Sequence, residues 1–305
     1  MCKITIVVIM GGDSAEKEIS KMSGKEIVKN LDTEKYRVIP FEIKSKRNLA
    51  ELISLGVDVA FIALHGPGGE DGTMQGCLEL LKIPYTGSGV LASAIGMDKI
   101  YSRNIFTQKG INVPKTVILY KKDKPSMIFK SLKYPLFIKP ANQGSSVGTS
   151  KAKNKKDLDK ALKIAFSFSD HILVEEYIEG TEITCAILGN NEAVALPLIE
   201  IVPKKEFFDL EAKYDASLTD EICPARINKS LTKKAQEAAL AAYKAIGCRG
   251  FGRVDMIIKG NKIYVLEVNT IPGLTSVSLF PKAAKTAGIS YPQLLDEVVN
   301  LALNP

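Results

Sequence analysis

Between Arg253 and Ser278 the chain reads RVDMIIKGNKIYVLEVNTIPGLTSVS, with acidic groups where a buried hairpin should carry none. RVDMIIK and KIYVLEVN are rich in β-branched and aromatic residues and read as two strands joined across Gly260 and Asn261. A three-residue loop over 260–262 sets Lys259 opposite Ile263, Asp255 opposite Glu267 and Arg253 opposite Asn269, all on one face. The other face is then Val254, Met256, Ile258, Tyr264, Leu266 and Val268. A two-residue loop would set Asp255 and Glu267 on opposite faces and bury one of them, at a cost of roughly several kcal/mol, so the longer loop is expected. Two facing carboxylates repel each other unless a cation lies between them. The oxygen set Asp255, Glu267 and Asn269 suits a hard ion such as Mg2+, which takes few carboxylates and completes its shell with water and phosphate oxygens. The alternative is an edge ion pair of Asp255 with Arg253 or Arg249, which leaves Glu267 and Asn269 unexplained.

The elements that would position this hairpin belong to a chain of 305 residues, long enough for two or three domains. Its hydrophobic fraction is 46% and it has no Trp, ordinary for a soluble α/β enzyme. The net charge of +7, from 41 basic and 34 acidic residues, is spread as scattered lysines rather than interleaved with aromatics. That pattern argues against a nucleic-acid surface and for an anionic small substrate. The five cysteines, at 2, 77, 185, 223 and 248, form no C-x-x-C pair, which fits a reducing cytosol. The apolar run Ile4 to Met10 is too short for a signal or membrane segment, so a soluble, cytoplasmic protein without a membrane partner is expected.

In chain order, KITIVVIM followed by GGDSAEKEIS reads as a strand, a glycine turn and a helix start. Asp13 with Glu16 satisfies a capping-box spacing, which gives Glu16 a structural reading beside any functional one. The turn lacks G-x-G-x-x-G, so a dinucleotide fingerprint is absent and a nicotinamide dehydrogenase fails on that ground. Strand YRVIPF, a helix near 48–55 and strand VDVAFIAL follow, which implies a parallel sheet with its functional loops at the carboxyl ends of the strands. HGPGGEDGTMQG then holds five glycines in twelve residues, and a helix from about Thr73 is expected to present its positive end there. His65, at the end of the strand, is a site candidate; His171 is read as structural. KIPYTGSG reads as a short strand and turn, and a new helix begins at Met97.

From Lys99 onward the pattern changes to short strands with one long helix. KYPLFIKP ends in Lys139 and runs into ANQGSSVGTS, whose backbone N–H groups and hydroxyls could meet phosphate oxygens with Lys139 as a charged partner. It is not a Walker A loop, and a Gly/Ser loop alone is often only a turn. A lysine-rich helix over 155–166, strand HILVEEYI, strand ITCAILG and the run VALPLIEIVP come next. FFDLEAKYDASLTDEICPARI is polar and aperiodic, which suggests a lid. A helix over 232–246 precedes the hairpin, and helices over 282–287 and 293–303 close the chain.

Taken together, GGDSAEKEIS, LHGPGGEDGTMQG, KPANQGSSVG, EAKY, GFGRVD and LEVNTIPGLTSVSL, in this order, resemble the D-alanine:D-alanine ligase family of the ATP-grasp superfamily. The resemblance covers essentially the whole chain. It implies an α/β protein, α+β in its ATP-grasp part, of three domains: a parallel Rossmann-like domain over 1–98 and antiparallel ATP-grasp domains over 99–182 and 183–305. By motif, Asp255, Glu267 and Asn269 would hold two Mg2+ ions, for which Mn2+ could substitute, on the phosphates of ATP. Lys99 and Lys139 would contact phosphates under a loop that includes Ser145 and Ser146. Glu175 and the backbone of Glu176 and Ile178 would read adenine, and Glu182 would hold the ribose. Glu16, near His65, would receive the ammonium of a first D-alanine. Arg253 and the Gly273 N–H would serve as oxyanion donors, and Lys213 and Ser278 would fix the second substrate's carboxylate. Tyr214, which in the family bonds with Ser145 and Glu16, favours a dipeptide product over D-alanyl-D-lactate.

The resemblance thus implies an ATP-dependent ligase of peptidoglycan precursor synthesis, acting through a D-alanyl phosphate and usually dimeric. Departures are Phe208 for Tyr, Tyr177 for an adenine-stacking Trp or Phe, and Val277 for His, which leave the second substrate open to D-serine or D-lactate. A non-catalytic ATP-binding regulator would be expected to break the metal or oxyanion set, and here both are complete.

Overall fold

The computed structural model describes residues 3–144, 147–203 and 219–305. Strand β1 (Ile4–Gly11) lies between β2 (Tyr36–Ile43) and β3 (Val59–Ile62), all parallel. Ile6, Val7, Val8 and Ile9 are fully buried, as a continuous apolar run in a parallel sheet covered on both faces should be. Helix α1 (Lys17–Asn30) follows β1. The helix expected over 48–55 is instead a short α2 (Lys46–Leu49) that tightens into a 3-10 turn over Ala50–Ser54. Tyr85 adds one parallel bridge to Ala60 where a short strand was expected.

Helix α3 (Thr73–Leu80) starts at the expected residue, but Asp71 takes up its N-terminus. Asp71 accepts hydrogen bonds from the Gly68 and Thr73 N–H groups. Burial pushes this carboxyl up, yet those hydrogen bonds outweigh it and hold it below the usual carboxylate value. Asp71 thus takes the first N–H of α3 within the chain. A further helix that was not expected, α4 (Val90–Met97), precedes Asp98, and the helix expected from Met97 begins across it at Lys99 as α5 (Lys99–Gln108). The Asp98 carboxylate caps the second by accepting from the N–H groups of Ile100 and Tyr101.

A four-stranded antiparallel sheet follows, formed by β4 (Thr116–Tyr120), β5 (Leu136–Pro140), β6 (Ser150–Ala152) and β7 (His171–Glu176) in the order β4-β7-β5-β6. Leu119, Leu136, Ile138, Ile172 and Val174 pack against Leu158, Ala161, Leu162 and Ala165 of helix α6 (Lys155–Ala165). Period-two alternation then turns Phe137, Lys139 and Glu175 to the opposite face. His171 opens β7, its ring 5.9 Å from that of Tyr120, in keeping with a structural role.

The last sheet orders β11 (Thr219–Ile222), β10 (Ile199–Pro203), β8 (Thr181–Leu188), β12 (Phe251–Lys259) and β13 (Lys262–Asn269), with β9 (Val194–Ala195) beside β8. Helix α7 (Lys229–Ala245) covers one face of it. Residues 219–222, read from sequence as part of a lid, are strand; the rest of that segment up to 218 lies outside the described residues. Helices α8 (Leu279–Thr286) and α9 (Tyr291–Leu303) then return to the first sheet. Phe280, Leu294, Leu295, Val298 and Val299 share one core with Ile6, Val8, Ile27 and Phe61.

The hairpin of β12 and β13 corrects the register argument in one respect. Asp255 does face Glu267, and Arg253 does face Asn269. The turn, however, holds two residues, because Lys259 pairs with Lys262 and Ile258 with Ile263. A bulge between Asp255 and Met256 absorbs the difference by leaving Leu266 as an extra residue. The buried residues of β13 are accordingly Ile263, Val265 and Val268, while Tyr264 and Leu266 lie on the carboxylate side. Simple alternation could not supply that answer, since a bulge resets the period partway along a strand.

Candidate active site

The carboxyl ends of β1 and β3 lie side by side in the sheet, and each leads into a polar loop, as expected for a doubly wound unit. His65 is buried at 6% exposure, with Nε2 3.1 Å from Ser23 Oγ and Nδ1 3.6 Å from Glu70 Oε1. The Ser14 hydroxyl donates to the His65 carbonyl at 2.6 Å and joins the two loops. Glu16 precedes α1 without a side-chain capping bond, so its capping-box reading does not hold. Its carboxylate lies between Gly66 and Gly144: a Cβ on Gly66 would stand 3.0 Å from Glu16 Oε2, and one on Gly144 3.4 Å. Those glycines leave room for an acidic group where the first and second sheets meet.

On the second sheet, Lys139 Nζ is 2.9 Å from Glu175 Oε2 and Arg103 Nη2 is 2.7 Å from Glu175 Oε1, all three side chains being buried. Burial pulls the Lys139 ammonium below the usual lysine value even though Glu175 raises it. Lys99, first residue of α5, donates to the Gln143 carbonyl at 2.7 Å and stands 3.2 Å from Glu267 Oε2. The Glu176 carboxylate accepts from the Lys115 N–H, and its own N–H donates to the Lys115 carbonyl. Lys151 Nζ sits 3.7 Å from the centre of the Tyr177 ring. Ile178 is buried at the end of this strand.

On the third sheet, Asp255 accepts four hydrogen bonds from three side chains. Arg253 donates to both its oxygens at 2.9 Å, the Thr184 hydroxyl to Oδ1 at 2.6 Å and the Asn269 amide to Oδ2 at 3.0 Å. The ion pair with Arg253, weighed from sequence as an alternative, is therefore present, and Glu267 and Asn269 still face the same cleft. Burial would lower the Arg253 guanidinium, but Asp255 beside it outweighs that and holds it charged. Gly273 follows the turn after β13, where an added Cβ would stand 3.0 Å from Ser278 Oγ; that hydroxyl is 2.6 Å from Thr275 Oγ1.

Most of these groups, though not Arg103, Lys115 or Lys151, line one continuous cleft of about 960 Å³. Lys139, Glu175, Glu176, Tyr177 and Ile178 form one wall, and Glu182, Asp255, Glu267 and Asn269 form the other. His65, Glu16, Arg253, Gly273 and Ser278 stand at one end, and a smaller recess near Glu16 and Gly144 adjoins it. Ser145, Ser146, Phe208, Lys213 and Tyr214 lie outside the described residues. Sequence reasoning missed Thr184, Glu70, Leu266 and Lys282, all of which line the cleft. Thr184 and Leu266 look like ordinary strand residues, and Glu70 was visible only as part of a glycine-rich loop.

The donor set suits a hard cation: two carboxylates from paired positions and one amide, all offering oxygen. Among the described residues no group of three or more His, Cys, Asp or Glu could hold a metal by itself, so substrate oxygens would have to complete the shell. Such a cleft, with Lys99 and Lys139 as cations and a carboxylate pair that a hard cation would bridge, accommodates a polyphosphate.

Models of known families match nearly the whole chain: one described as D-ala D-ala ligase N-terminus over residues 5–54 and 48–88, another as D-ala D-ala ligase C-terminus over 105–300. The chain belongs to the D-alanine–D-alanine ligase family. It is 44% identical to the D-alanine--D-alanine ligase of Syntrophobacter fumaroxidans, covering 99% of this chain and 98% of that protein. The ligase of the same name from Carboxydothermus hydrogenoformans is 46% identical, with 98% of each chain covered. Among solved structures, the D-alanine--D-alanine ligase from Bacillus anthracis complexed with ATP superposes with a TM-score of 0.88 at 40% identity, covering 99% of this chain and 98% of that one. The VanG D-Ala:D-Ser ligase from Enterococcus faecalis superposes at 0.87 with 37% identity, covering 99% and 100%. The mixed architecture, one parallel sheet and two largely antiparallel ones, is the ATP-grasp fold of this family.

Proposed function

We propose that this ligase-family protein joins two D-alanines into D-alanyl-D-alanine at the expense of ATP, as a step in peptidoglycan precursor synthesis. The observation that carries the reading is the placement of Lys139 and Glu175 across the cleft from Asp255, Glu267 and Asn269, with Arg253 and Gly273 at the cleft's end. Asp255, Glu267 and Asn269 would hold two Mg2+ ions, which when bound offset the charge of the phosphate oxygens. Lys99 and Lys139 supply cationic partners for the same oxygens, and Glu182, which lines the cleft, would hold the ribose. Glu175 accepts a hydrogen bond from the adenine amino group, flanked by the Glu176 carbonyl and the Ile178 backbone.

In the first step the carboxylate of one D-alanine bonds to the γ-phosphorus as the bridging P–O bond breaks, and ADP leaves with the electron pair. Glu16 holds that substrate's ammonium with His65 nearby. In the second step the amine of another D-alanine, having lost a proton, attacks the acyl carbonyl, and inorganic phosphate leaves. The oxyanion so formed is stabilised by the Arg253 guanidinium and the Gly273 N–H. Lys213, Ser278, Ser145, Ser146 and Tyr214 complete the substrate grip and the cover that keeps water from the acyl phosphate. A division at 98 and 182 into three domains, a cytoplasmic location and a homodimer belong to the same proposal. No helix among the described residues is long and apolar enough to cross a membrane.

Incubation with ATP, Mg2+ and D-alanine is expected to release phosphate and form dipeptide in equal amounts. Turnover with L-alanine but not D-alanine would overturn the assignment. A second reading, D-serine or D-lactate as acceptor, draws on the likeness to the D-Ala:D-Ser ligase and on Val277, 81% exposed at the cleft. Competing acceptors across a pH series separate the cases, because an amine must lose a proton to attack and lactate need not.

A further inference from the structure

Among the buried ionisable groups that the proposed reaction leaves without a task, Arg103 is the most costly to bury. It lies on α5 one turn beyond Ile100, and both side chains turn toward the ligand face of the second sheet, where Ile100 packs on Leu173. Arg103 is 4% exposed. Its Nη2 meets Glu175 Oε1 at 2.7 Å while Lys139 Nζ meets Glu175 Oε2 at 2.9 Å, so two cations share one carboxylate. Arg103 Nε, Nη1 and Nη2 all lack a hydrogen-bond partner among the described residues, so the contact with Glu175 is an ion pair without hydrogen-bond geometry. A guanidinium is expensive to desolvate. One apolar side chain, as at Ile100, would cover this sheet at less cost, and Lys139 alone would already neutralise Glu175.

The excess cation acquires a purpose once nucleotide is considered, and here the argument rests on the reading above. A phosphate chain draws on Lys139 and so weakens one of the two ion pairs that hold Glu175 in place. Without Arg103 the Glu175 carboxylate would then have no cation left to fix its oxygens where a donor can meet them. Adenine presents a donor, its amino group, at the position where guanine presents an oxygen acceptor.

We infer that Arg103 is a positioning residue for nucleotide recognition: it holds the Glu175 carboxylate in place for adenine, and so frees Lys139 for phosphate. Arg103 acts through Glu175 and touches no reacting atom.

The test is calorimetric titration of ADP and GDP, with steady-state kinetics, on the wild type, Arg103→Met, Arg103→Lys, Glu175→Gln and the double variant Arg103→Met with Glu175→Gln. Arg103→Met is expected to weaken ADP on the order of tenfold to hundredfold and to weaken GDP much less. KM for D-alanine should stay within about twofold, Arg103→Lys should recover most of the loss, and Arg103→Met should cost nothing further on the Glu175→Gln background. Unchanged ADP affinity and unchanged preference over GDP in a folded Arg103→Met protein overturn the inference. An equal loss with and without Glu175 also overturns it. If circular dichroism shows Arg103→Met unfolded, Arg103→Gln, which removes the charge but keeps a polar side chain, takes its place: a reduced ADP-over-GDP preference at unchanged D-alanine KM supports the role, and an unchanged preference overturns it. A wild type that binds no ADP overturns the nucleotide reading itself, whereas a binding, active wild type with an indifferent Arg103→Met overturns only the role of Arg103.

Discussion

Asp255 accepts from Arg253, Thr184 and Asn269, so its charge is answered by one guanidinium and two neutral donors before any ligand arrives. Asp255→Asn keeps the shape while removing the charge. Turnover is expected to fall by roughly hundredfold or more, with the circular dichroism spectrum unchanged, because electrostatic stabilisation of that size is typical of one preorganised group. A binding module without catalysis would show near-indifference in the same phosphate-release assay. The cysteines make a second prediction at this scale. Burial pushes the thiols of Cys185 and Cys248 up to about 12, which leaves roughly one part in ten thousand as thiolate at pH 8. Mass mapping after iodoacetamide treatment of native protein should find both unmodified, while the partly exposed Cys77 and Cys223 are alkylated.

The β12–β13 hairpin shows how one element meets two demands. Its two-residue turn would, by simple alternation, send Asp255 and Glu267 to opposite faces, and the bulge at Leu266 turns both toward the cleft. The extra residue also adds an apolar side chain to the cleft lining. Deleting Leu266 leaves Val265 inward, Glu267 outward and Val268 inward in regular alternation, so the variant should still fold cooperatively. Its melting temperature should drop by a few degrees, and its KM for ATP should rise about tenfold as the lining is lost. Thermal melts and ATP titrations check both, and an unfolded deletion variant would show that the bulge is needed for the fold itself.

At the scale of the molecule, the C-terminal helices are part of the N-terminal core. Leu295, Val298 and Val299 of α9 are fully buried together with Ile6, Val8 and Phe61. Leu295→Ala should therefore destabilise by about 2–5 kcal/mol, read as a shift of the urea midpoint. A fragment of residues 1–98 should fail to give a cooperative melt, because it exposes the face that α8 and α9 cover. Cooperative unfolding of that fragment would show that the first sheet is self-sufficient.

What the sequence by itself determined is the set of chemical groups and most of the elements that carry them. The carboxylates at 255 and 267, the lysine at 139 and the glycine-rich loops were legible because strand alternation and turn chemistry are local, whereas Lys99 was named through the family resemblance. Even the pairing of Asp255 with Glu267 was legible, through the cost of burying a charge. Only the tertiary structure decided how it is achieved, since a bulge answers to the strands on either side and not to its own residues. The same holds for Thr184 under Asp255, Arg103 under Glu175 and the gap that Gly66 and Gly144 leave for Glu16. Each is a contact between segments far apart in the chain, and local preference has no term for such meetings. The union of α9 with the first sheet is of this kind too: its apolar stripe was visible in sequence, but the partner that covers it is set by the fold of the whole chain.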